Sequence, residues 1–212
     1  LPLTETRAVE PAAVPDVASA DAVAVTSANA LRLAPDSLLV ALVQKPCFVV
    51  GRETAAAARG AGFADPHVGP GDALGLARLL VAHHAPGARV LYPCGRLRLP
   101  AFESALAHAG LTVIPVETYD TVPCRVGVGD IAAASSGRPI DAALLHSAES
   151  ARLLAALARD AGALLGATRF YCLSQRVAAA LDGIEGFRIA VAGDPNEQAL
   201  LDTLVAGCGN PP

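Results

Sequence analysis

Five short segments of this 212-residue chain gather hydroxyl, amide and guanidinium groups at a single turn each. They are Thr26-Ser27-Ala28-Asn29, Gly51-Arg52-Glu53-Thr54, Pro93-Cys94-Gly95-Arg96, His146-Ser147-Ala148-Glu149 and Ser174-Gln175-Arg176. Each follows a short apolar run and opens a helical pattern. A helix N-terminus has backbone N–H groups without intrahelical partners and the positive end of the helix dipole, so it attracts carboxylates and phosphates. Ser, Thr and Asn there also cap the helix with their own side chains. For any single turn, capping alone accounts for the residue types. Five such turns, on what read as two facing lobes, point to an anion-binding cleft. Arg7, Arg52, Arg96, Arg98 and Arg176 are the cations that could meet an acidic ligand there.

More reactive arrangements are missing from the sequence. Gly51-Arg52-Glu53-Thr54 lacks the GxGxxG spacing of a dinucleotide turn, and no GxxxxGK[ST] loop occurs. His146-Ser147 is not a GxSxG nucleophile elbow. Cys47, Cys94, Cys124, Cys172 and Cys208 form no CxxC pair and read as reduced thiols. Cys94 has the position of a nucleophile but no identifiable base, which favours a buried thiol. His83 and His84 are adjacent and so cannot share a helix face, and His67, His108 and His146 lie far off in sequence. No metal site is expected.

The elements that must hold these turns alternate along the chain. Strands are expected at Ala22–Thr26, Cys47–Val50, Arg89–Tyr92, Thr112–Val116, Ala142–Leu145, Arg169–Leu173 and Arg188–Ala192. Each is a short apolar run bounded by turn residues, as for strands buried on both faces. Helical patterns lie between them at Ala28–Leu33, Thr54–Ala61, Ala73–His83, Leu99–Ala109, Ala148–Ala161, Gln175–Leu181 and Glu197–Ala206. Such alternation favours parallel sheets with crossover helices. The chain is 53% hydrophobic and 4% aromatic, with a formal net charge of −4. An acidic balance with few aromatics argues against nucleic acid as partner. No apolar run approaches the roughly 18 residues that span a bilayer.

The chain also repeats itself. AVAVTSANALRL and CFVVGRETAAAARGAGF are echoed by DAALLHSAESARLL and FYCLSQRVAAALDGIEGF, so that Ser27 matches Ser147 and Gly51 matches Ser174. Each copy runs into a further helix, near Asp72 and near Asn196. Ile114–Val122 also lines up with Leu1–Val9, Pro on Pro. We therefore expect two parallel-sheet α/β lobes, flavodoxin-like and related by internal duplication, joined by a two-stranded β-ladder, with one lobe discontinuous. The first lobe is expected over 10–113, the ladder over 1–9 and 114–124, and the second lobe over 125–212. Leu1–Leu3 reads as the end of a strand whose preceding strand and helix are not represented in this sequence.

Taken in order, the TSANA turn, VVGRETAAAARGAGF, LYPCGRLRLPAFESALAHAGLTVIPVETYDTVP, LLHSAESARLL and CLSQRVAAAL resemble the uroporphyrinogen-III synthase family. The resemblance implies a cofactor-free, metal-free hydro-lyase that cyclises and dehydrates hydroxymethylbilane, a linear tetrapyrrole with eight carboxylates, inverting ring D. An azafulvene cation forms at ring A, ring D attacks it through its substituted position, and a spiro intermediate fragments and recloses. Pyrroles supply the electrons, so positioning carries the catalysis, with electrostatic support for the cation.

Carried over by position, Tyr119 matches the family's tyrosine after the ladder strand and is expected to assist departure of the hydroxyl. Thr26, Ser27 and Asn29, then Gly51, Arg52 and Thr54, then Gly95 and Arg96 are expected to bind substrate in the first lobe. Ser147, Ser174, Gln175 and Arg176 do so in the second. There the family's Gly-x-x-Thr becomes Ser174 to Val177, losing a hydroxyl. The resemblance further implies a cytoplasmic monomer with a transient contact to hydroxymethylbilane synthase. The competing reading is a two-lobed α/β small-anion binding or regulatory module without catalysis.

Overall fold

The computed structural model describes residues 1–13, 16–98, 100–158, 160–181 and 186–208, the last by its backbone. It divides into two units, Thr6–Val122 and a discontinuous one of Leu1–Glu5 with Pro123–Pro212. In chain order the elements are β1 (Thr4–Ala8), β2 (Ala22–Val25), α1 (Asn29–Arg32), α2 (Asp36–Leu42), β3 (Cys47–Val49), α3 (Arg52–Gly60), β4 (His67–Val68), α4 (Ala73–His83), β5 (Arg89–Gly95), α5 (Ala101–His108) and β6 (Thr112–Pro123). There follow α6 (Val128–Ala134), β7 (Ala142–Leu145), α7 (Ala148–Ala158), α8 (Gly162–Leu165), β8 (Arg169–Cys172), α9 (Gln175–Ala178), a 3-10 turn (Ala179–Leu181), β9 (Arg188–Val191) and α10 (Glu197–Cys208).

In the larger unit the strand order is β1-β6-β5-β2-β3-β4, and β2 to β6 are parallel. Strands β3-β2-β5-β6 follow the flavodoxin order, with the two-residue β4 added at the edge. Alternate residues of β2 enter opposite cores, because successive side chains point to opposite faces of a sheet. Val23 and Val25 join Leu31, Leu38, Leu42 and Ala58 from the helices on one side. Ala22 and Ala24 join Leu76, Leu80, Phe102 and Leu106 on the other. All four β2 residues are fully buried, which is why the run reads as continuously apolar.

Helices α3 and α5 return their chain to the sheet by the same device. Gly62 and Gly110 take positive φ of 102° and 81°, the left-handed conformation that glycine adopts without a Cβ penalty. Phe63 N then donates to Ala58 O and Leu111 N to Leu106 O, closing Schellman motifs in which Phe63 and Leu111 enter the core.

The smaller unit has the parallel sheet β7-β8-β9, with Leu154, Phe170, Cys172 and Val177 in its main core and Tyr171 and Leu200 on the opposite face. The repeat is visible in its elements: β2-β3-β4 correspond to β7-β8-β9. The two following helices are capped alike, with Gly75 N donating to Asp72 Oδ1 at 2.7 Å and Ala199 N to Asn196 Oδ1 at 2.9 Å.

Several elements depart from expectation. The first strand is Thr4–Ala8, not a strand end at Leu1–Leu3, because pairing begins where Cys124 N donates to Leu3 O and Pro2 has no N–H to continue it. With Val9 N donating to Thr118 O, pairing recedes along β1 as it advances along β6, so the ladder is antiparallel. Strands β5 and β6 both run past their expected ends at Tyr92 and Val116, since each supplies the other's partners. Helices α2, α6 and α8 and strand β4 are additional. The expected helix starts and ends at Leu99 and across Arg159 lie outside the described residues; α5 begins at Ala101.

The histidines also correct the sequence reading. His67, His83 and His84 surround the Phe48 ring at centroid distances of 4.5, 5.3 and 5.3 Å. Folding of β4 beside β3 brings His67 in, and α4 ends at His83, so His84 leaves helical geometry and turns to the same ring. Among the described residues, no three potential ligands converge to hold a metal.

Candidate functional site

In open parallel sheets, ligands bind beyond the carboxyl ends of strands, at the point where the strand order reverses. In the larger unit that point lies between β2 and β5. Thr26 and Ser27 follow β2, and with Asn29, Gly51, Arg52 and Thr54 they line an open recess of about 370 Å³. Sequence reasoning thus named the residues that the fold assembles there. Their roles differ. Ser27 Oγ accepts from Asn29 N at 3.3 Å, a local turn bond. Gly51 is the N-cap of α3 with extended backbone, and a Cβ there would meet Gly71 only at ordinary contact distance. Thr54 is 4% exposed, whereas Arg52 stands in solvent at the first position of α3.

Thr26 makes a bond that the sequence did not disclose. Its hydroxyl lies 2.7 Å from the hydroxyl of Tyr92 on β5. The Tyr92 ring is buried and meets Phe102 of α5 at 4.8 Å between centroids. Burial pushes the Tyr92 phenol up to about 12, against the opposing pull of its bond with Thr26.

A second cluster forms at the ends of β5 and β6. The register slips between Cys94 and Gly95, so Gly95 stands opposite Tyr119. A Cβ on Gly95 would lie 2.6 Å from Tyr119 Cζ, so the phenol ring rests on the glycine backbone. Arg96 N donates to Tyr119 O at 2.9 Å and fastens the next residue.

The arginines beyond that point are engaged with carboxylates. Arg98 donates to Glu103 at 2.7 Å and Glu117 at 3.1 Å, while Arg96 reaches Glu117 at 3.4 Å and Asp120 at 3.1 Å. Desolvation opposes the charge on Arg98, but these bonds to Glu103 and Glu117 outweigh it and its pKa is raised. Two of the five arginines that the sequence offered to a ligand, Arg96 and Arg98, thus tie the segment after β5 to β6. Neither that pairing nor Thr118, whose buried hydroxyl donates to Ala30 O at 2.8 Å, left a sequence signal beyond residue type.

Cys94 is 2% exposed, its thiol directed at Val116 O, and burial pushes it up to about 11. Such a thiol is a poor nucleophile. Cys47, Cys94, Cys124 and Cys172 are all free, and Cys208's side chain lies outside the described atoms.

In the smaller unit the equivalent turns have other partners. Ser147 Oγ accepts from Ser150 N at 3.0 Å and caps α7. His146, in the place of Thr26, has Nε2 2.7 Å from Glu197 Oε2. Ser174 is the N-cap of α9 with extended backbone like that of Gly51, but its side chain makes no capping bond. Gln175 and Arg176 are exposed, and Val177, in the place of Thr54, is 1% exposed in the main core.

No curated protein sequence matches the chain. A crystal structure of uroporphyrinogen-III synthetase from Helicobacter pylori 26695 is similar with a TM-score of 0.70 at 16% identity, covering 97% of this chain and 91% of that one. A mutant uroporphyrinogen III synthase from the extremely thermophilic bacterium Thermus thermophilus gives a TM-score of 0.56 at 22% identity, covering 98% and 88%. Both likenesses concern the fold, which is two-lobed α/β. The family model for uroporphyrinogen-III synthase HemD matches residues 1–202. With the match running along nearly all of its length, the chain belongs to the uroporphyrinogen-III synthase family.

Proposed function

We propose that this chain catalyses the reaction of its family, the dehydrating cyclisation of hydroxymethylbilane with ring D inverted, as a lyase of tetrapyrrole biosynthesis. The observation that carries the reading is the family match over residues 1–202. The residues are consistent with that chemistry. Pyrrole carbons form and break the C–C bonds, so the protein needs no nucleophile, and the thiols at the ends of β5 and β8, Cys94 and Cys172, are buried.

Tyr119 is our candidate to protonate the departing hydroxyl, which leaves as water while the azafulvene cation forms. The phenolate is then reprotonated from solvent or by the proton shed on ring closure. Gly95 is what lets that ring sit where it does. The recess at Thr26, Ser27 and Gly51 presents hydroxyls and free helix N–H groups suited to a carboxylate. Arg52 adds a cation at its rim, and Arg176 and Gln175 offer the corresponding groups in the smaller unit. Arg96 and Arg98 act by holding the Gly95 loop; a carboxylate of the substrate would have to displace Glu117 or Asp120 to reach them.

Among the described residues no helix is long and apolar enough to cross a membrane. A cytoplasmic monomer that receives its unstable substrate through brief contact with hydroxymethylbilane synthase fits this reading. The test is the protein supplied with hydroxymethylbilane by that synthase, with the products oxidised and separated by isomer. Type III porphyrin in excess over type I is expected. Type I alone, at the uncatalysed rate, leaves only the binding or regulatory module.

A further inference from the structure

Thr26 is one of the turn residues that resemblance assigns to substrate; Tyr92 is assigned to nothing, and lies 66 positions away in the chain. Their hydroxyls are 2.7 Å apart, and two such groups hold two protons between them. Only one of the protons can lie in the shared bond. If Thr26 donated, the Tyr92 proton would be left in a buried site, since Tyr92 is 3% exposed and no other bond to its hydroxyl occurs among the described residues. Leaving a buried donor without an acceptor costs more than one bond gains. If Tyr92 donates, both protons are placed: its own in the shared bond, and that of Thr26 toward the recess that Thr26 lines.

We propose that Tyr92 is a positioning residue, fixing the Thr26 hydroxyl as a hydrogen-bond donor to a carboxylate of the substrate. The inference rests on the functional reading above. Burial supports it by keeping the Tyr92 phenol protonated, at about 12. The ring is itself held from outside the site, by Phe102 of α5. A free threonine hydroxyl accepts as readily as it donates, so it discriminates weakly between an anion and a neutral donor. A hydroxyl with one of its two lone pairs already occupied, and its proton left over, is biased toward the anion. Tyr92 thereby turns an ambivalent group into part of a carboxylate site, beside the helix N-terminus that Gly51 opens.

The test uses the whole chain, two single variants, their combination and a conservative control. Tyr92→Phe keeps the ring and its packing on Phe102 and removes the hydroxyl alone. We expect KM for hydroxymethylbilane to rise roughly threefold to tenfold, the range for one such bond, with kcat within about twofold. Thr26→Val should raise KM at least as far, and adding Tyr92→Phe to it should raise KM no further. Thr26→Ser should restore the dependence on Tyr92.

Binding of uroporphyrin III, followed by its fluorescence, reads the same coupling without turnover. Equal effects of Tyr92→Phe in the presence and absence of the Thr26 hydroxyl would mean that the tyrosine hydroxyl acts independently of Thr26, and the inference fails. No effect of Tyr92→Phe on either readout overturns it as well. A parent protein that binds the porphyrin with this coupling but forms no type III isomer sinks the proposed reaction and leaves the positioning role standing. One that does neither overturns both.

Discussion

The two copies of the repeat have the same strand-end geometry and different chemistry. After β3, Gly51 and, after β8, Ser174 cap their helices with the same extended backbone. Three residues on, the larger unit has Thr54 and the smaller has Val177. After β2 the larger unit offers Thr26, braced by Tyr92. After β7 the smaller offers His146, tied to Glu197. Only the larger unit's β5 and β6 supply the Gly95–Tyr119 corner. Duplication thus preserved what the backbone needs, a cap and a free helix N-terminus, while the side chains diverged. The lesson is that the helix-opening turns are common to both copies, whereas Thr26, Thr54 and the tyrosine belong to one.

The strongest way to break this contrast is at Gly95. Gly95→Val places carbon in the volume of the Tyr119 ring, which swings away more easily than the sheet yields. Loss of kcat of roughly a hundredfold is expected, the upper part of the range for losing a general acid, with circular dichroism unchanged. Wild-type turnover would show that the corner is not the site.

Next is Tyr119→Phe, which should slow kcat about tenfold to a hundredfold, the span of general-acid catalysis, without changing Tm. A single-turnover rate equal to that of the parent removes Tyr119 from the mechanism.

Val177→Thr tests whether the smaller unit's turn merely lost a hydroxyl. The position is 1% exposed, so the new group meets the core and should destabilise by about 1–3 kcal/mol in urea unfolding, with kcat/KM no better. A rise in kcat/KM would make the two turns functionally alike and erase the contrast.

The smallest effect is on alkaline stability. Burial holds Cys47 near 12 and both Cys94 and Cys172 near 11, above the roughly 8.5 of a thiol in an unfolded chain. The folded state keeps these protons while the unfolded state sheds them. Stability is therefore full below about pH 8 and falls as pH rises toward the folded values. Two of the three thiols lie in the larger unit. Cys47→Ala should flatten the fall between about pH 8 and 10 in urea titrations; an unaltered slope would contradict the assignment.

Much of this was legible before any coordinates. Continuous apolar runs such as AVAV and VLY are what strands buried on both faces require, and both proved buried. The further helices expected near Asp72 and Asn196 begin there, and each residue caps its helix because a cap needs only a short acceptor at a fixed offset. Other features had no local signature. Strand β4 is two residues long and exists by pairing with β3. The grouping of His67, His83 and His84 around Phe48 depends on that pairing. Arg96 and Arg98 read as ligands for an acidic substrate because a sequence shows charges without their partners, and Glu103, Glu117 and Asp120 are brought in only by the fold.

By itself, the order of residues determined the alternation of strands and helices, the duplication, the family and the turns at which chemistry is placed. Those are properties of local pattern: apolar runs, caps and spacing act over a few residues. The tertiary structure alone decided which groups are spoken for. It set Tyr92 on Thr26, laid the Tyr119 ring on Gly95, neutralised two arginines and buried Val177 and Cys94. Burial and hydrogen bonding between residues distant in sequence arise when strands pair and helices pack, and no spacing along the chain encodes them.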